Sequence, residues 1–206
     1  GIGASKDGKE EIAAADHPQI RLFMVANRWT PEPQSDVEGP KAGETKPEGV
    51  WKVCSPKTVA EGGWGGFSAA AYYFGRELQQ QLRVPVGLID SSWGGTLIQP
   101  WTPPEGFAAV PALAKEYERV QLGDARTAPH QQRLEQVLGE TEQWLGAARQ
   151  ALKGKTVVPP MPTYPAELLP PSQLQQATAL YNGMIHPLHP FPLRGAIWYQ
   201  GEANAS

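Results

Sequence analysis

The sequence predicts an α/β fold: an open, largely parallel sheet with helices packed on it and a helical insertion over 105–165. Three observations carry this. Val84-Pro-Val-Gly-Leu-Ile89 and Gly195-Ala-Ile-Trp-Tyr199 are short apolar runs, and each passes directly into small and polar residues. The segments before and between them carry apolar residues three and four positions apart. Short apolar runs bounded by turn residues are the signature of buried strands, and the wider spacing is that of amphipathic helices. A chain of 206 residues suits one domain or slightly more, and 1–206 is read as one partial domain.

Along the chain, Glu10-Glu-Ile-Ala-Ala-Ala15 predicts a short helix that ends before His17-Pro18, because a residue preceding proline avoids helical backbone. Ile20-Arg-Leu-Phe-Met-Val-Ala26 predicts a strand. From Thr30 to Val50 the chain is rich in Pro, Gly and charge without apolar periodicity, so a long surface loop is expected. Trp51 to Pro56 returns to order as a candidate wall of a site. Glu61-Gly-Gly-Trp-Gly-Gly66 leads into a helix over Ser68–Leu82, with Ser68 as N-cap and Phe74, Leu78 and Leu82 on one face. These glycines follow no predicted strand and carry no Lys-Ser/Thr, which argues against a phosphate loop.

The insertion contains two predicted stripes. Phe107, Val110, Leu113, Ala114 and Tyr117 make one, and Leu134, Val137, Leu138, Thr141, Leu145, Ala148 and Leu152 make the other. Their spacing suits an antiparallel helix pair, with Gly154 ending the second. A proline-rich connector follows (Pro159, Pro160, Pro162, Pro165, Pro170, Pro171). Ser172–Leu180 reads as one more short helix, feeding Tyr181-Asn-Gly-Met-Ile185 and the stiff loop His186-Pro-Leu-His-Pro190.

Composition excludes several classes. Net charge −3 and scattered Lys and Arg give no electrostatic footprint for nucleic acid or an anionic membrane surface. Neither a run long enough to span a bilayer nor a leader-like start is visible. Cys54 is the only cysteine, which precludes an internal disulfide and a cysteine-based metal site, and it reads as a buried structural thiol. His186-x-x-His189 has ligand-like spacing, but Pro187 and Pro190 stiffen the loop and no acidic or cysteine partner adjoins it.

The two apolar runs end in the candidate chemistry. Ligands of open α/β sheets bind beyond the carboxyl ends of strands. Gly94-Gly95 follows the first run and lets backbone N–H groups approach a ligand closely. Gln200, Glu202 and Asn204 follow the second. Two such tips predict one shared crevice. Trp93, Trp101 and Trp198 offer flat apolar faces for a ligand, with core packing at least as good a use for Trp198. Arg194, at a strand's beginning, falls on the far side of the sheet. Ser91 and Ser92 stand at a strand end beside Asp90, but without a Gly-x-Ser-x-Gly elbow, so a self-contained Ser92–His186 pair is the weaker alternative.

Ser92-Trp-Gly-Gly-Thr96, Tyr181-Asn-Gly-Met-Ile185 and Trp198-Tyr-Gln-Gly-Glu202 with Asn204 together resemble the signature blocks of the sialate O-acetylesterase family of SGNH (Ser-Gly-Asn-His) hydrolases. Cys54-Ser-Pro56 and Phe67–Leu78 support the resemblance. It covers about Glu11 to Asn204 and weakens across 30–50 and 105–165.

The resemblance implies a three-layer α/β/α SGNH, flavodoxin-like hydrolase fold, present here in part, no metal or other cofactor, and removal of acetyl groups from sugar hydroxyls through an acyl-serine intermediate. It places the oxyanion hole at the N–H of Gly94 or Gly95 and the Gln200 amide, with Glu202 and, more weakly, Asn204 in support and Trp93 and Trp101 against the substrate. It also implies a Gly-Gln-Ser-Asn block carrying the nucleophile and an Asp-x-x-His block carrying the base, and neither occurs here. The chain is therefore expected to be an internal piece of a longer esterase, inactive alone and exposing a sheet edge where the first strand would lie. The implied partner is an O-acetylated sugar, and the implied location secreted or periplasmic. Sugar, acetyl position and oligomeric state stay open. An acetylxylan-type esterase and a non-catalytic carbohydrate-binding protein are the alternatives.

Overall fold

The structure is a computed structural model that describes residues 1–40, 44 and 46–205. It forms two compact units, Gly1–Leu97 with Leu180–Ser206, and Ile98–Ala179.

The first unit is built on a three-stranded mixed sheet. Strand β1 (His17–Met24) is the predicted apolar run, begun three residues early because Pro18 is tolerated at a strand's start. It is the central strand, flanked by β2 (Lys52–Cys54), antiparallel, on one side and β3 (Val86–Asp90), parallel, on the other. The parallel register runs from Ile20 opposite Val86 to Met24 opposite Asp90. Side chains alternate between faces of a strand, so Ile20, Leu22, Met24 and Leu88 turn to one side. There they form the core with Cys54, Val59, Phe67, Ala71 and Tyr72.

The helices of this unit are α1 (Gly8–Ala13), α2 (Pro56–Val59) and α3 (Ala69–Leu82). Helix α2 starts with a reciprocal capping box between Ser55 and Thr58. Helix α3 has the predicted N-cap, the Ser68 hydroxyl accepting from the Ala71 N–H. Its inner face is Ala71, Tyr72 and Gly75, whereas Phe74 and Leu82 of the expected stripe are exposed. Gly75 makes the close approach possible, since a Cβ there would sit 2.4 Å from Leu88 Cδ2. Burial pushes the Tyr72 hydroxyl above its ordinary range, more than the neighbouring Arg76 pulls it down. That hydroxyl meets His17 Nε2 at 3.1 Å. Arg76 in turn pairs with Glu11 of α1.

The second unit holds α4 (Pro104–Ala108), α5 (Ala114–Gly123) and α6 (Ala128–Gly154). The single helix expected over Phe107–Tyr117 is two, because Pro111 starts a separate tight turn, Pro111–Leu113, and cannot donate to the preceding turn. Helix α6 ends at Gly154 as expected, but Lys155, not a glycine, adopts the left-handed cap (φ 52°). Its buried side centres on His130 and Val137, and Trp144 Nε1 donates to the Pro159 carbonyl at 2.9 Å. Leu138, Leu145 and Leu152 of the predicted stripe are exposed. Asp124, between α5 and α6, is held below the usual carboxylate range by hydrogen bonds from Arg126.

Two further expectations are corrected. Residues 172–178 form turns instead of a helix. The Gln176 side chain accepts from the Ser172 and Gln173 N–H groups, and Thr178 lies in the left-handed region (φ 67°), which no helix interior accommodates. Gly195–Tyr199 is not a strand either: Ile197, Trp198 and Tyr199 are 51, 60 and 86% exposed. Strand propensity alone does not make a strand, because the backbone needs a paired ladder, and the sheet ends at β3 among the described residues. None of the described helices is long and apolar enough to cross a membrane.

Candidate active site

All the chemistry-bearing blocks except Trp101 belong to the first unit. The site starts at the carboxyl end of β3. The Asp90 carboxylate accepts from the Ser92 hydroxyl (2.7 Å) and from the Ser68 N–H at the head of α3 (3.2 Å). A carboxylate at a helix N-terminus satisfies an otherwise orphaned donor and suits the positive end of the helix dipole. Asp90 therefore fixes strand tip and helix relative to each other. Ser91 donates to the Met184 carbonyl at 3.1 Å, which ties the same tip to the Tyr181–Ile185 turn.

Beyond the tip the chain makes an open turn. Gly95 has φ 76°, and a Cβ built on Gly94 or Gly95 would meet nothing within 4 Å. No atom stands where a side chain would at either glycine, so no side chain hinders a close backbone–ligand approach. Thr96 closes it by donating to the Trp93 carbonyl at 2.7 Å. Trp93 itself is half-buried.

The second block returns to this turn. The Gln200 side-chain amide donates to the Thr96 carbonyl at 3.0 Å. Its contact with Asn204 Oδ1 is longer, 3.5 Å, at the limit of a useful hydrogen bond. Gly201 (φ 138°) supplies the bend that turns the chain into the short helical turn Glu202–Asn204. Glu202 and Asn204 are exposed. The structure thus brings Gly94, Gly95, Thr96, Gln200 and Asn204 together, although Gly195–Tyr199 is not the expected strand. Trp101 is buried within the second unit.

The Ser92–His186 alternative is not assembled. Ser92 is bound to Asp90, and His186 Nδ1 donates to the Gln34 carbonyl at 2.8 Å. His186 and His189 stack loosely with centroids 5.2 Å apart. Among the described residues no group of three or more His, Cys, Asp or Glu is placed to hold a metal ion.

The role of one residue of the Tyr181–Ile185 block was not legible from the sequence. Asn182, 4% exposed, directs its amide to the carbonyls of Thr30 (3.3 Å) and Pro31 (3.1 Å) and accepts the Gln34 N–H on its own carbonyl at 2.9 Å. Next to it, a Cβ on Gly183 would lie 2.2 Å from the Arg28 carbonyl oxygen. The first part of the predicted surface loop is therefore clamped onto the Tyr181–Ile185 turn, and the turn onto the β3 tip. The signal available was the Asn-Gly pair, which in isolation reads as an ordinary turn.

No family model matches the chain. It is 28% identical over 199 residues to a sialate O-acetylesterase of Rattus norvegicus, which covers 96% of this chain and 31% of the relative. A sialate O-acetylesterase of Mus musculus is 26% identical over the same shares, and one of Homo sapiens is 27% identical over 75% of this chain and 20% of its own length. The crystal structure of a carbohydrate acetylesterase from Xanthomonas citri superposes with a TM-score of 0.56 at 29% identity, covering 100% of this chain and 30% of that one. Over nearly its whole length the chain is similar to sialate O-acetylesterases; it has an α/β fold and spans about a third of the length of the relatives it matches.

Proposed function

We propose that the chain supplies the oxyanion side of a carbohydrate O-acetylesterase site. The observation that carries this reading is the docking of the Gln200 amide on the Gly94–Thr96 turn. Ester hydrolysis builds negative charge on the carbonyl oxygen, and donors fixed in advance around that oxygen are often the largest single contribution to rate. One N–H of the Gln200 amide is held by Thr96, and the 3.5 Å contact of the same nitrogen with Asn204 is the one an oxyanion would replace. The N–H of Gly94 or Gly95 is the second donor, on a turn with no side chain in the way. An amide keeps its charge state at every working pH, so the donor does not titrate away. Asn204 and Glu202 support the loop that carries Gln200, and Trp93 offers a face to the sugar. For Trp101 the burial in the second unit favours a packing role.

In this reading a serine nucleophile and a histidine base come from blocks that these residues do not contain. The base takes the serine proton as the serine oxygen adds to the acetyl carbonyl, Gln200 and the glycine N–H hold the oxyanion, and the ester bond then breaks as the base returns that proton to the departing sugar oxygen. Water then releases acetate from the acyl-serine by the reverse sequence of proton transfers. The arrangement of Ser92 and His186, each bonded elsewhere, supports assigning nucleophile and base outside the chain. A carbohydrate-binding role without turnover is the second reading, favoured by that same arrangement.

The test is to sequence the source DNA on both sides of this segment and assay the protein that the full reading frame encodes. A Gly-Gln-Ser block upstream and an Asp-x-x-His block downstream, in frame, with acetate release from O-acetylated sugars, is the expected result. A full-length product without those blocks that binds sugar and releases no acetate would establish the second reading instead.

A further inference from the structure

The face of the sheet away from α3 carries a second recess. Phe23 and Ile89 point there, one position before the strand tips and opposite each other in the parallel register. Trp51 lies over them. Its ring centroid is 5.2 Å from that of Phe23 and 6.0 Å from that of Phe191. Gly87 leaves room for the indole, since a Cβ there would come within 3.2 Å of Trp51 Cη2. Despite these contacts Trp51 stays 41% exposed. The three rings, with Asp36, Ile89 and Pro187, line a cavity of about 200 Å³. That is below the roughly 300–1,000 Å³ of sites for drug-sized ligands and suits a single ring.

Both walls of the recess hang on one clamp. Asp36 follows Gln34, which is bonded through its N–H to Asn182 and through its carbonyl to His186. Pro187 follows His186 directly. The recess is thus preformed, which spares a ligand the cost of ordering it.

We propose that this recess is a second saccharide subsite, taking a neutral hexose or pentose ring of the glycan that carries the ester. The inference rests on the carbohydrate reading above. Aromatic faces bury the apolar C–H face of a sugar, and a few placed polar groups fix its orientation. The polar group here is the Asp36 carboxylate, an acceptor for a ring hydroxyl. Its negative charge disfavours an acidic sugar in the same position. The substrate class that follows is an acetylated glycan with a neutral neighbouring residue.

Calorimetric titration of the chain with xylotetraose and cellotetraose, and with N-acetylneuraminic acid as the anionic control, tests this. Binding of a neutral tetraose, weakened roughly tenfold or more in Trp51→Ala and unchanged in the surface control Lys153→Ala, is expected. Asp36→Asn should narrow the preference for the neutral sugars over the anionic one, with the folded state of each variant checked by circular dichroism. Tetraose binding that is indifferent to Trp51→Ala would overturn the subsite. So would absence of tetraose binding while an O-acetylated monosaccharide still shifts the Gln200 amide resonances, a result that leaves the esterase reading standing. Tetraose binding at Trp51 with no response of Gln200 to any acetylated sugar would instead sink the esterase reading.

Discussion

Gln200 and Thr96 are 104 positions apart in sequence, and a 3.0 Å hydrogen bond from side-chain amide to backbone carbonyl joins them. This contact gathers two sequence blocks into one site without a strand to carry the second block. The segment before Gln200 is extended and exposed, so the bond fixes a short stretch of otherwise unpaired chain. On the proposed esterase reading, Gln200→Ala in the full-length protein should lower kcat by about a hundred- to thousand-fold, the usual effect of deleting one oxyanion donor, with KM changed far less. In the chain alone the same substitution removes one hydrogen bond, worth about 0.5–1.5 kcal/mol. It should speed amide hydrogen exchange over 194–204 without changing exchange in β1.

The Asn182 clamp gives a second expectation. Its amide is buried against two carbonyls, and Asn182→Ala leaves those acceptors without their donor. Such losses cost about 1–3 kcal/mol, so thermal unfolding should occur several degrees lower. Gly183→Ala should act through geometry instead: the new Cβ collides with the Arg28 carbonyl oxygen, and the rigid backbone on both sides must part. Limited proteolysis should then cut within 28–37 in both variants. A Gly183→Ala protein as resistant there as the parent would show that the loop is held by other contacts.

Gly75 sets two principles against each other. Replacing a mid-helix glycine by alanine ordinarily stabilises by about 0.5–1 kcal/mol. At Gly75, however, the added methyl meets Leu88 Cδ2 at 2.4 Å, Cδ1 at 2.6 Å and Cγ at 2.9 Å. Because Cγ is included, rotating the leucine does not clear the space, and overpacking costs about 1–3 kcal/mol. Packing wins: Gly75→Ala should lower the denaturation midpoint, and the double variant Gly75→Ala with Leu88→Val should recover part of the loss.

The same contrast between local and tertiary control explains what the sequence disclosed. β1, β3, α3 with its Ser68 cap, and α6 ending at Gly154 were all legible, because each has a run or stripe long enough to declare its period. β2 was not, since Lys52–Cys54 is a strand only by pairing with β1. Gly195–Tyr199 shows the converse, a strand-like composition that lacks a ladder. At the site, the glycines and Gln200 were legible as a juxtaposition, while the anchoring roles of Asp90 and Asn182 were not. Their partners are backbone groups far away in sequence, which no spacing rule encodes. Trp51 illustrates the same limit, for its value as a platform depends on Phe23, Gly87 and Phe191 meeting in space.

Cys54 gives the chain a measurable alkaline limit. The side chain is fully buried, and its thiol is pushed from 9.0 to about 11, by burial first and by the charge of Asp16 second. The native state therefore keeps its proton at a pH where the unfolded chain has lost it. Stability from this source is fully present below about pH 9 and declines as pH rises through about 11. One pKa unit corresponds to about 1.4 kcal/mol, so the whole contribution is on the order of 2–3 kcal/mol. Urea unfolding measured across that window should show a falling midpoint. Cys54→Ala should start from a lower midpoint, because it opens a small cavity in the core, and should lose the cysteine's part of the slope. A slope as steep in Cys54→Ala as in the parent would assign the alkaline loss to other groups. The same burial predicts that a thiol reagent at neutral pH labels Cys54 only as fast as the unit unfolds.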